Sequence, residues 1–347
     1  MNVSDFDYEL PERLIAQQAV ERGASRLMVF DRRSGAVTHA SVAALADWLR
    51  PRDLLVVNDT RVYPARLLGR RDPSGGAVEC LLLERRDGDR WDALMHPGQK
   101  LRPGEHVVFD GPGVRLRAEI LARRFYGRRV IRLVVDSGPD LETCIDAIGH
   151  VPLPPYIKRA DAAGDRDRYQ TVYARARGSV AAPTAGLHFS DALLAALAAR
   201  GVERAALTLH VGYGTFKPVR AERVEDHTVD PEPFEISETA AAAINRALDE
   251  GRRIVAVGTT TTRALETAVR AGEGRAREGA ARTDLFIYPG FEFQAVGGLI
   301  TNFHLPRSSL LMLVAAFAGR DRILAAYREA VRQEYRFYSY GDAMLLL

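Results

Sequence analysis

A stretch of short, closely spaced β-rich segments, residues 67–149, interrupts a chain that elsewhere alternates between strands and helices. Gly- and Pro-containing turns separate these segments, which is typical of a small β-barrel or sandwich. Outside this stretch, apolar runs such as Ile254–Val257 alternate with helical segments, which indicates an α/β sheet buried on both faces. The sequence therefore predicts an α/β fold with two domains. The main domain, residues 1–66 and 150–347, holds a mixed or parallel, barrel-like sheet, and an inserted small β-barrel domain spans residues 67–149.

Composition narrows the class of protein. The 347 residues are 47% hydrophobic and 27% charged, as in a globular protein with a sizeable core. The two cysteines, Cys80 and Cys144, lack metal-ligand spacing and fit a reducing compartment. The N-terminus lacks the apolar core of a signal peptide, and the longest apolar run, Leu310–Ala318, is roughly half of what a membrane span needs. We expect a cytoplasmic protein without a membrane segment.

The distribution of charge is more informative than its total. A net charge of +3 is too small to indicate nucleic-acid binding by itself. Between Arg115 and Arg132, however, seven arginines stand against one acid, Glu119. Such a basic surface is what a phosphate backbone requires. The alternative is that an arginine-rich composition scatters clusters of this kind over solvated faces.

A polar segment follows the apolar strand Ile254–Val257 and opens a helix that is predicted over Thr261–Ala271. In Gly258–Arg263, four threonines and an arginine come directly after the glycine. Backbone N–H groups and hydroxyls at such a strand end suit an anion, a carboxylate or a phosphate. No lysine follows the turn, so it is not a Walker A loop. The competing interpretation is helix capping, for which one threonine would be enough.

Three histidines lie in or directly after segments of unusual composition. His188 ends a run of small residues that begins at Gly178 and would let the backbone approach a ligand closely. Its place before a helix predicts a lowered pKa and a neutral imidazole that can act as a base, although it can equally satisfy a buried carbonyl. His210 and His304 lie in the polar segments Leu207–Gly214 and Thr301–Pro306. A three-histidine zinc site is disfavoured, because no two of them share a short ligand spacing.

The order of these segments along the whole chain resembles one known family. The resemblance rests on these segments: Asn58–Leu67, Gly149–Ile157, Arg168–Ala174, Ala182–Phe189, Leu209–Gly212, Gly258–Thr260, Ile300–Pro306 and Tyr340–Ala343. The family is that of the S-adenosylmethionine:tRNA ribosyltransferase-isomerases. The sequence departs from the family pattern at two places. The segment Thr228–Glu232 lacks the second histidine that usually follows His227, and Gly297-Gly298 replaces a common aspartate.

The resemblance implies a reaction and its partners. Such enzymes transfer and isomerise the ribosyl part of S-adenosylmethionine onto 7-aminomethyl-7-deazaguanine in the tRNA wobble position. They give epoxyqueuosine and release adenine and methionine. The implied co-substrate is S-adenosylmethionine, and the implied partner is the anticodon arm of a tRNA. No metal is expected, because the sulfonium already carries the positive charge of the electrophile. The simplest expectation for the assembly is a monomer.

Residue roles follow as hypotheses. His188 is the candidate base, with His210 or Asp59 as its partner or as the proton donor to adenine. Arg61 and Asp59 would position the tRNA base. The co-substrate would be held by Gly258, Thr259, Thr260, Thr261, Arg263 and His304. The tRNA would be contacted by Arg123, Arg124, Arg128 and Arg129.

Two other function classes stay open from the sequence. One is an enzyme that uses S-adenosylmethionine on a small molecule and never binds RNA. The other is an RNA-binding protein without catalytic activity. Release of adenine from S-adenosylmethionine in the presence of substrate tRNA distinguishes both from the leading hypothesis.

Overall fold

The structure, a computed structural model, describes residues 1–216 and 219–347, without the side chains of Tyr126, Thr215 and Phe216. In chain order its strands are Arg26–Phe30 (β1), Val37–Ser41 (β2), Leu54–Asn58 (β3), Thr60–Val62 (β4), Arg66–Asp72 (β5), Ala77–Arg85 (β6), Arg90–His96 (β7), His106–Gly111 (β8), Val114–Arg123 (β9), Arg128–Ser137 (β10), Ala176–Ser179 (β11), Glu203–Leu209 (β12), Glu232–Ile236 (β13), Ile254–Val257 (β14), Gly279–Thr283 (β15), Gly298–Asn302 (β16) and Ala343–Leu346 (β17). Its α-helices are Leu45–Trp48 (α1), Leu141–Ile148 (α2), Asp165–Arg168 (α3), Asp191–Ala199 (α4), Glu238–Asp249 (α5), Thr259–Ala271 (α6), Ser309–Ala318 (α7) and Arg320–Arg332 (α8).

The largest element is a mixed sheet of nine strands. Its order is β15-β13-β12-β3-β14-β16-β17-β1-β2 among the described residues. Strands β12, β3, β14 and β16 run parallel in its centre, and antiparallel pairs flank them on both sides. This confirms the predicted α/β class with a mixed sheet. The barrel-like closure expected for this sheet is not found, because the row of described strands ends at β15 and β2 without pairing between them.

The central strands are buried because their side chains alternate between two cores. In β3, Leu54 and Val56 pack into one apolar cluster, whereas Leu55 and Val57 pack into a second cluster on the opposite face. Helices α5 to α8 contribute to the first cluster, and α4 contributes to the second. The apolar run 54–57 of β3 is therefore covered on both faces, as predicted for the apolar strands of this sheet.

The inserted strands form a separate antiparallel unit with its own core. Strands β5 to β10 pair in the order β10-β7-β6-β5-β8-β9, and β9 also pairs with β10, so that the pairings complete a ring. Their inward side chains, such as Leu82, Phe109 and Ile131, are fully buried. The predicted inserted β unit is present, and the domain limits at residues 66/67 and 149/150 stay predictions. Within residues 1–216 and 219–347, no helix has the length and apolarity needed to span a bilayer.

Candidate active site

The parallel strands bring polar residues together at one edge of the sheet. The carboxyl ends of β14 and β16 open into a pocket, the strand-end pocket. Ligands of open α/β sheets bind at such edges. The pocket is lined by Tyr156, Ala182, Pro183, Thr184, Ala185, Val211, Gly258, Thr259, Thr260, Thr301, Asn302, His304, Leu310, Tyr338 and Ser339.

The first turn of α6 presents unused donors to this pocket. Helix α6 begins at Thr259, two residues earlier than the sequence indicated, after Gly258 with a φ of 96°. The Thr261 hydroxyl donates to the Val257 carbonyl at 2.7 Å, so this threonine is not available to a ligand. The hydroxyls of Thr259 and Thr260 make no hydrogen bond within the described part of the chain, and both residues line the pocket. Free N–H groups and hydroxyls at a helix N-terminus favour an anionic or hydroxylated ligand group.

Asn302, at the end of β16, organises the wall of the pocket. Its side-chain oxygen accepts from the Thr184 hydroxyl at 3.0 Å. Its amide nitrogen donates to Nε2 of His188 at 3.0 Å and to the Tyr338 carbonyl at 3.1 Å. The amide therefore fixes three segments that are far apart in the sequence.

His188 lies behind this wall. Its Nε2 is held by Asn302, and its Nδ1 lies 3.0 Å from the hydroxyl of Ser25. The ring is buried, and among the described residues it lines neither the strand-end pocket nor the neighbouring cleft. Burial lowers the pKa of His188 to about 4, with smaller contributions from Arg168 and Arg336. As predicted, the His188 imidazole is neutral, but its pKa is lowered mainly by burial and not by a helix end.

His304 is the histidine that does line the pocket. It is buried, its Nε2 lies 2.8 Å from the hydroxyl of Thr301, and burial lowers its pKa to about 3. The rings of Tyr156 and Tyr338 meet edge to face with centroids 3.8 Å apart. With His304 neutral, the described lining carries no charged side chain at neutral pH.

A second, larger space opens where the inserted strands face the main sheet. This interdomain cleft shares Val211 with the strand-end pocket. Two ion pairs connect its walls: Arg128 to Asp230 at 2.8 Å and Arg282 to Glu84 at 3.3 Å. The main cleft-lining residues are Tyr63, Glu84, Trp91, Arg128, Glu142, Arg177, Gly178, His210, Gly212, Asp230, Glu232 and Arg282. The cleft is therefore highly charged.

His210 lines the cleft, and its contact with Thr60 favours one tautomer. The Thr60 hydroxyl lies 2.8 Å from Nδ1 and donates to the Ala176 carbonyl at 3.4 Å. A hydroxyl that donates elsewhere accepts from Nδ1–H, which leaves Nε2 with a lone pair. Partial burial lowers the pKa of His210, opposed by the nearby charges of Asp59 and Glu235. A Cβ on Gly178 would lie 2.6 Å from the ring, so only glycine leaves room for it.

The remaining predicted site residues, Asp59 and Arg61, lie beside the cleft. The Asp59 carboxylate is buried, accepts from the Thr208 hydroxyl at 2.6 Å and pairs with Arg175 at 2.9 Å. Arg61 is exposed on β4, where it is in register with Arg177 of β11. Neither Asp59 nor Arg61 lines the pocket or the cleft.

Arg263 lies deeper than expected. Its guanidinium pairs with the carboxylate of Glu232, and both side chains are buried. Glu232 also accepts from the Gly212 N–H at 2.9 Å. Arg263 is therefore absent from the described lining of the strand-end pocket. It supports the loop after β12.

The four arginines predicted to contact tRNA separate into three environments. Arg123 and Arg124 are exposed near the tip of the β9–β10 hairpin. Arg128 lines the cleft. Arg129 is only 1% exposed and donates to the carbonyls of Leu101, Arg128 and Gly98, so a surface contact through this side chain is not supported.

Several residues of the pocket and the cleft were not singled out from the sequence. Asn302 and Tyr156 lie inside recognised motifs, but nothing in the sequence indicated which of their neighbours they contact. Asp230 and Glu232 lie in the segment that lacks the second histidine, and both line the cleft. Within the described ranges, no three His, Cys, Asp or Glu side chains are grouped as metal ligands would be.

Comparison with known proteins places this chain in a family. The family described as Queuosine biosynthesis protein matches residues 3–346. Relatives named S-adenosylmethionine:tRNA ribosyltransferase-isomerase are 53% identical in Heliobacterium modesticaldum and 55% identical in Symbiobacterium thermophilum, with 100% of both chains covered. A crystal structure of S-adenosylmethionine tRNA ribosyltransferase from Thermotoga maritima has 40% identity and a TM-score of 0.56, covering 99% of this chain and 100% of that one. The chain therefore belongs to the S-adenosylmethionine:tRNA ribosyltransferase-isomerase family of queuosine biosynthesis enzymes.

Proposed function

We propose that this enzyme transfers and isomerises the ribosyl group of S-adenosylmethionine onto 7-aminomethyl-7-deazaguanine in the wobble position of tRNA. The products are epoxyqueuosine-tRNA, adenine and methionine. The observation that carries the proposal is the junction at Val211, where an uncharged pocket meets a charged cleft. A sulfonium nucleoside and a nucleotide of an RNA loop, two reactants of different size and charge, can be oriented against each other at such a junction.

We assign S-adenosylmethionine to the strand-end pocket. The N–H groups and hydroxyls of Thr259 and Thr260 suit its carboxylate or an adenosine hydroxyl. The rings of Tyr156 and Tyr338 offer π faces to the sulfonium. Because the co-substrate already carries an activated carbon, the protein has to supply orientation and a base.

We assign the tRNA base to the interdomain cleft, where the half-exposed carboxylate of Asp230 suits its cationic aminomethyl group. The sulfonium acidifies the C5′ hydrogens, and Nε2 of His210 removes one of them while adenine leaves. The protonated His210 returns this proton to the departing adenine. The aminomethyl group gives up one proton to solvent, its neutral nitrogen attacks the activated carbon chain, and closure of the epoxide breaks the bond to sulfur and releases methionine. The geometry favours His210 over His188 as the base, because both nitrogens of His188 are already engaged. His188 then positions Asn302, and Asp59 positions the end of β12 through Thr208.

The anticodon arm is proposed to lie along the inserted strands, near Arg123 and Arg124, with the enzyme acting as a monomer in the cytoplasm. Replacing both arginines by alanine should weaken tRNA binding and flatten its salt dependence by about two counterions. The measurement is tRNA affinity between low and moderate salt, with Arg277→Ala, exposed on the main domain, as control. An affinity for tRNA that does not change with salt would contradict this surface.

Adenine release tests the reaction itself. The enzyme is mixed with S-adenosylmethionine and either tRNA carrying the deazaguanine base or the same tRNA with guanine. Adenine should form only with the modified tRNA. Turnover of S-adenosylmethionine without RNA would favour a small-molecule enzyme, and binding of tRNA without adenine release would favour a non-catalytic protein.

A further inference from the structure

We propose that Phe125, at the tip of the β9–β10 hairpin, stacks on an unpaired tRNA base close to the base that reacts. This inference rests on the proposed function, since it concerns how the same RNA substrate is held. Phe125 was not among the residues singled out from the sequence.

The exposure of Phe125 has no explanation in the fold. Its side chain is 88% exposed, whereas the only other exposed large apolar side chain among the described residues, Leu68, is 47% exposed. It follows Arg124 and occupies the turn Phe125–Gly127 between β9 and β10. An aromatic ring held in water at the end of a hairpin is available to a partner, and the packing of the chain does not need it.

The charge around Phe125 selects the kind of partner. The ring borders a hollow that is also lined by Lys100, Arg123 and Arg124. These three side chains are exposed and have no ion-pair partner within residues 1–216 and 219–347, and the described lining of the hollow includes no acid. Most other arginines of the inserted unit, such as Arg115 with Asp110, are paired. Unpaired cations around an exposed aromatic ring match a nucleic-acid strand, whose phosphates need cations and whose bases need a stacking surface.

The hairpin also places the ring at a useful distance from the cleft. Arg128, three residues after Phe125, bonds to Asp230 in the wall of the cleft. Three residues span at most about 11 Å between their Cα atoms, which is the height of roughly three stacked bases. A base held on Phe125 would therefore be a near neighbour of the nucleotide that enters the cleft, within the same unpaired loop.

A fluorescent anticodon stem-loop tests this contact without turnover. 2-Aminopurine replaces each loop base in turn, and binding is measured in the absence of S-adenosylmethionine. For one position next to the reacting nucleotide, wild-type enzyme should quench the probe by stacking. Phe125→Ala should abolish that quenching and weaken binding on the order of tenfold, whereas Phe125→Trp should retain both. Leu68→Ala, which removes an exposed apolar side chain from the same unit, is the matched control and should behave as wild type.

Activity provides the second measurement. With modified tRNA, Phe125→Ala should raise KM on the order of tenfold and leave kcat at saturating tRNA unchanged. Unchanged quenching and unchanged KM in Phe125→Ala would overturn the inference even if the wild-type enzyme releases adenine. Conversely, quenching that depends on Phe125 would support it even if the wild-type enzyme released no adenine, in which case the proposed function would fail alone.

Discussion

The strand-end pocket and the interdomain cleft meet at one residue, but different kinds of interaction hold their walls. The pocket is bordered by buried hydroxyls, the amide of Asn302 and the neutral His304, and its hydrogen bonds are shielded from water. The cleft is crossed by ion pairs between half-exposed side chains, such as Arg282 and Glu84, with 51% and 54% exposure. Shielded polar contacts hold a fixed shape, whereas exposed ion pairs contribute little and exchange partners easily. The pocket is thus suited to one small ligand, and the cleft to a large, charged and adaptable one.

The largest expected difference between the two regions is in their response to acid. An unfolded histidine has a pKa near 6.5, whereas the folded values are about 4 for His188 and about 3 for His304. Between these values and 6.5 the unfolded chain binds protons that the folded chain does not, so stability is lost as pH falls. Each histidine should cost on the order of 3 kcal/mol between pH 6.5 and pH 4. Urea unfolding at pH 7, 5.5 and 4.5 measures this loss.

A variant of His188, behind the wall of the pocket, tests whether its buried imidazole causes the loss of stability at low pH. His188→Gln should reduce the dependence of unfolding free energy on pH by about one proton, because glutamine does not titrate. Equal slopes for wild type and His188→Gln would show that the buried imidazole is not the cause.

The next largest effect separates the two candidate bases. His210→Ala should lower turnover by more than about a hundredfold with unchanged affinity for S-adenosylmethionine, because a general base contributes factors of this size. His188→Ala should instead raise KM for S-adenosylmethionine, since it acts through Asn302. Steady-state kinetics and circular dichroism of both variants are the measurement. A loss of turnover in His188→Ala alone, with folding and KM intact, would restore His188 as the base.

A smaller effect is expected from the donors at the start of α6. Replacing Thr259 and Thr260 together by valine keeps their shape and removes two hydroxyls that line the pocket. KM for S-adenosylmethionine should rise about ten- to a hundredfold, as for lost hydrogen bonds to a charged or polar ligand group. Thr262→Val is the matched control, because that hydroxyl bonds to the Gly258 carbonyl within the helix. Equal KM values for the double variant and the control would remove this turn from the binding site.

The smallest effect concerns the ion pairs of the cleft. Arg282→Ala should change the unfolding free energy by less than about 1 kcal/mol, as for other exposed pairs. Arg253→Ala is the contrast, since it leaves the carboxylate of Asp53, only 3% exposed, without its cation. That variant should lose about 3–5 kcal/mol. Denaturant unfolding of both at two salt concentrations tests the comparison, and similar losses would show that the cleft is as rigid as the core.

Much of the framework was predictable because it depends on local pattern. The apolar run Ile254–Val257 is a strand with those bounds. The inserted β-rich unit was also evident from its turns. The start of α6 was misplaced by two residues, because threonines are weak helix formers and only the surrounding packing extends the helix over them.

The sequence by itself determined the succession of strands and helices, the inserted antiparallel unit and the family, since these follow from periodicity, turn residues and the order of motifs. Tertiary structure alone decided which polar side chains line the strand-end pocket and the interdomain cleft. His188 and Asn302 are 114 residues apart and meet only in the folded chain, which takes the imidazole out of the pocket and leaves His210 at the cleft. Likewise, the buried Arg129 side chain donates to the Leu101 and Gly98 carbonyls between β7 and β8, whereas Arg123 is exposed. Local pattern gives the face of an element on which a residue lies, but exposure and hydrogen-bond partners depend on segments distant in sequence that pack against that face.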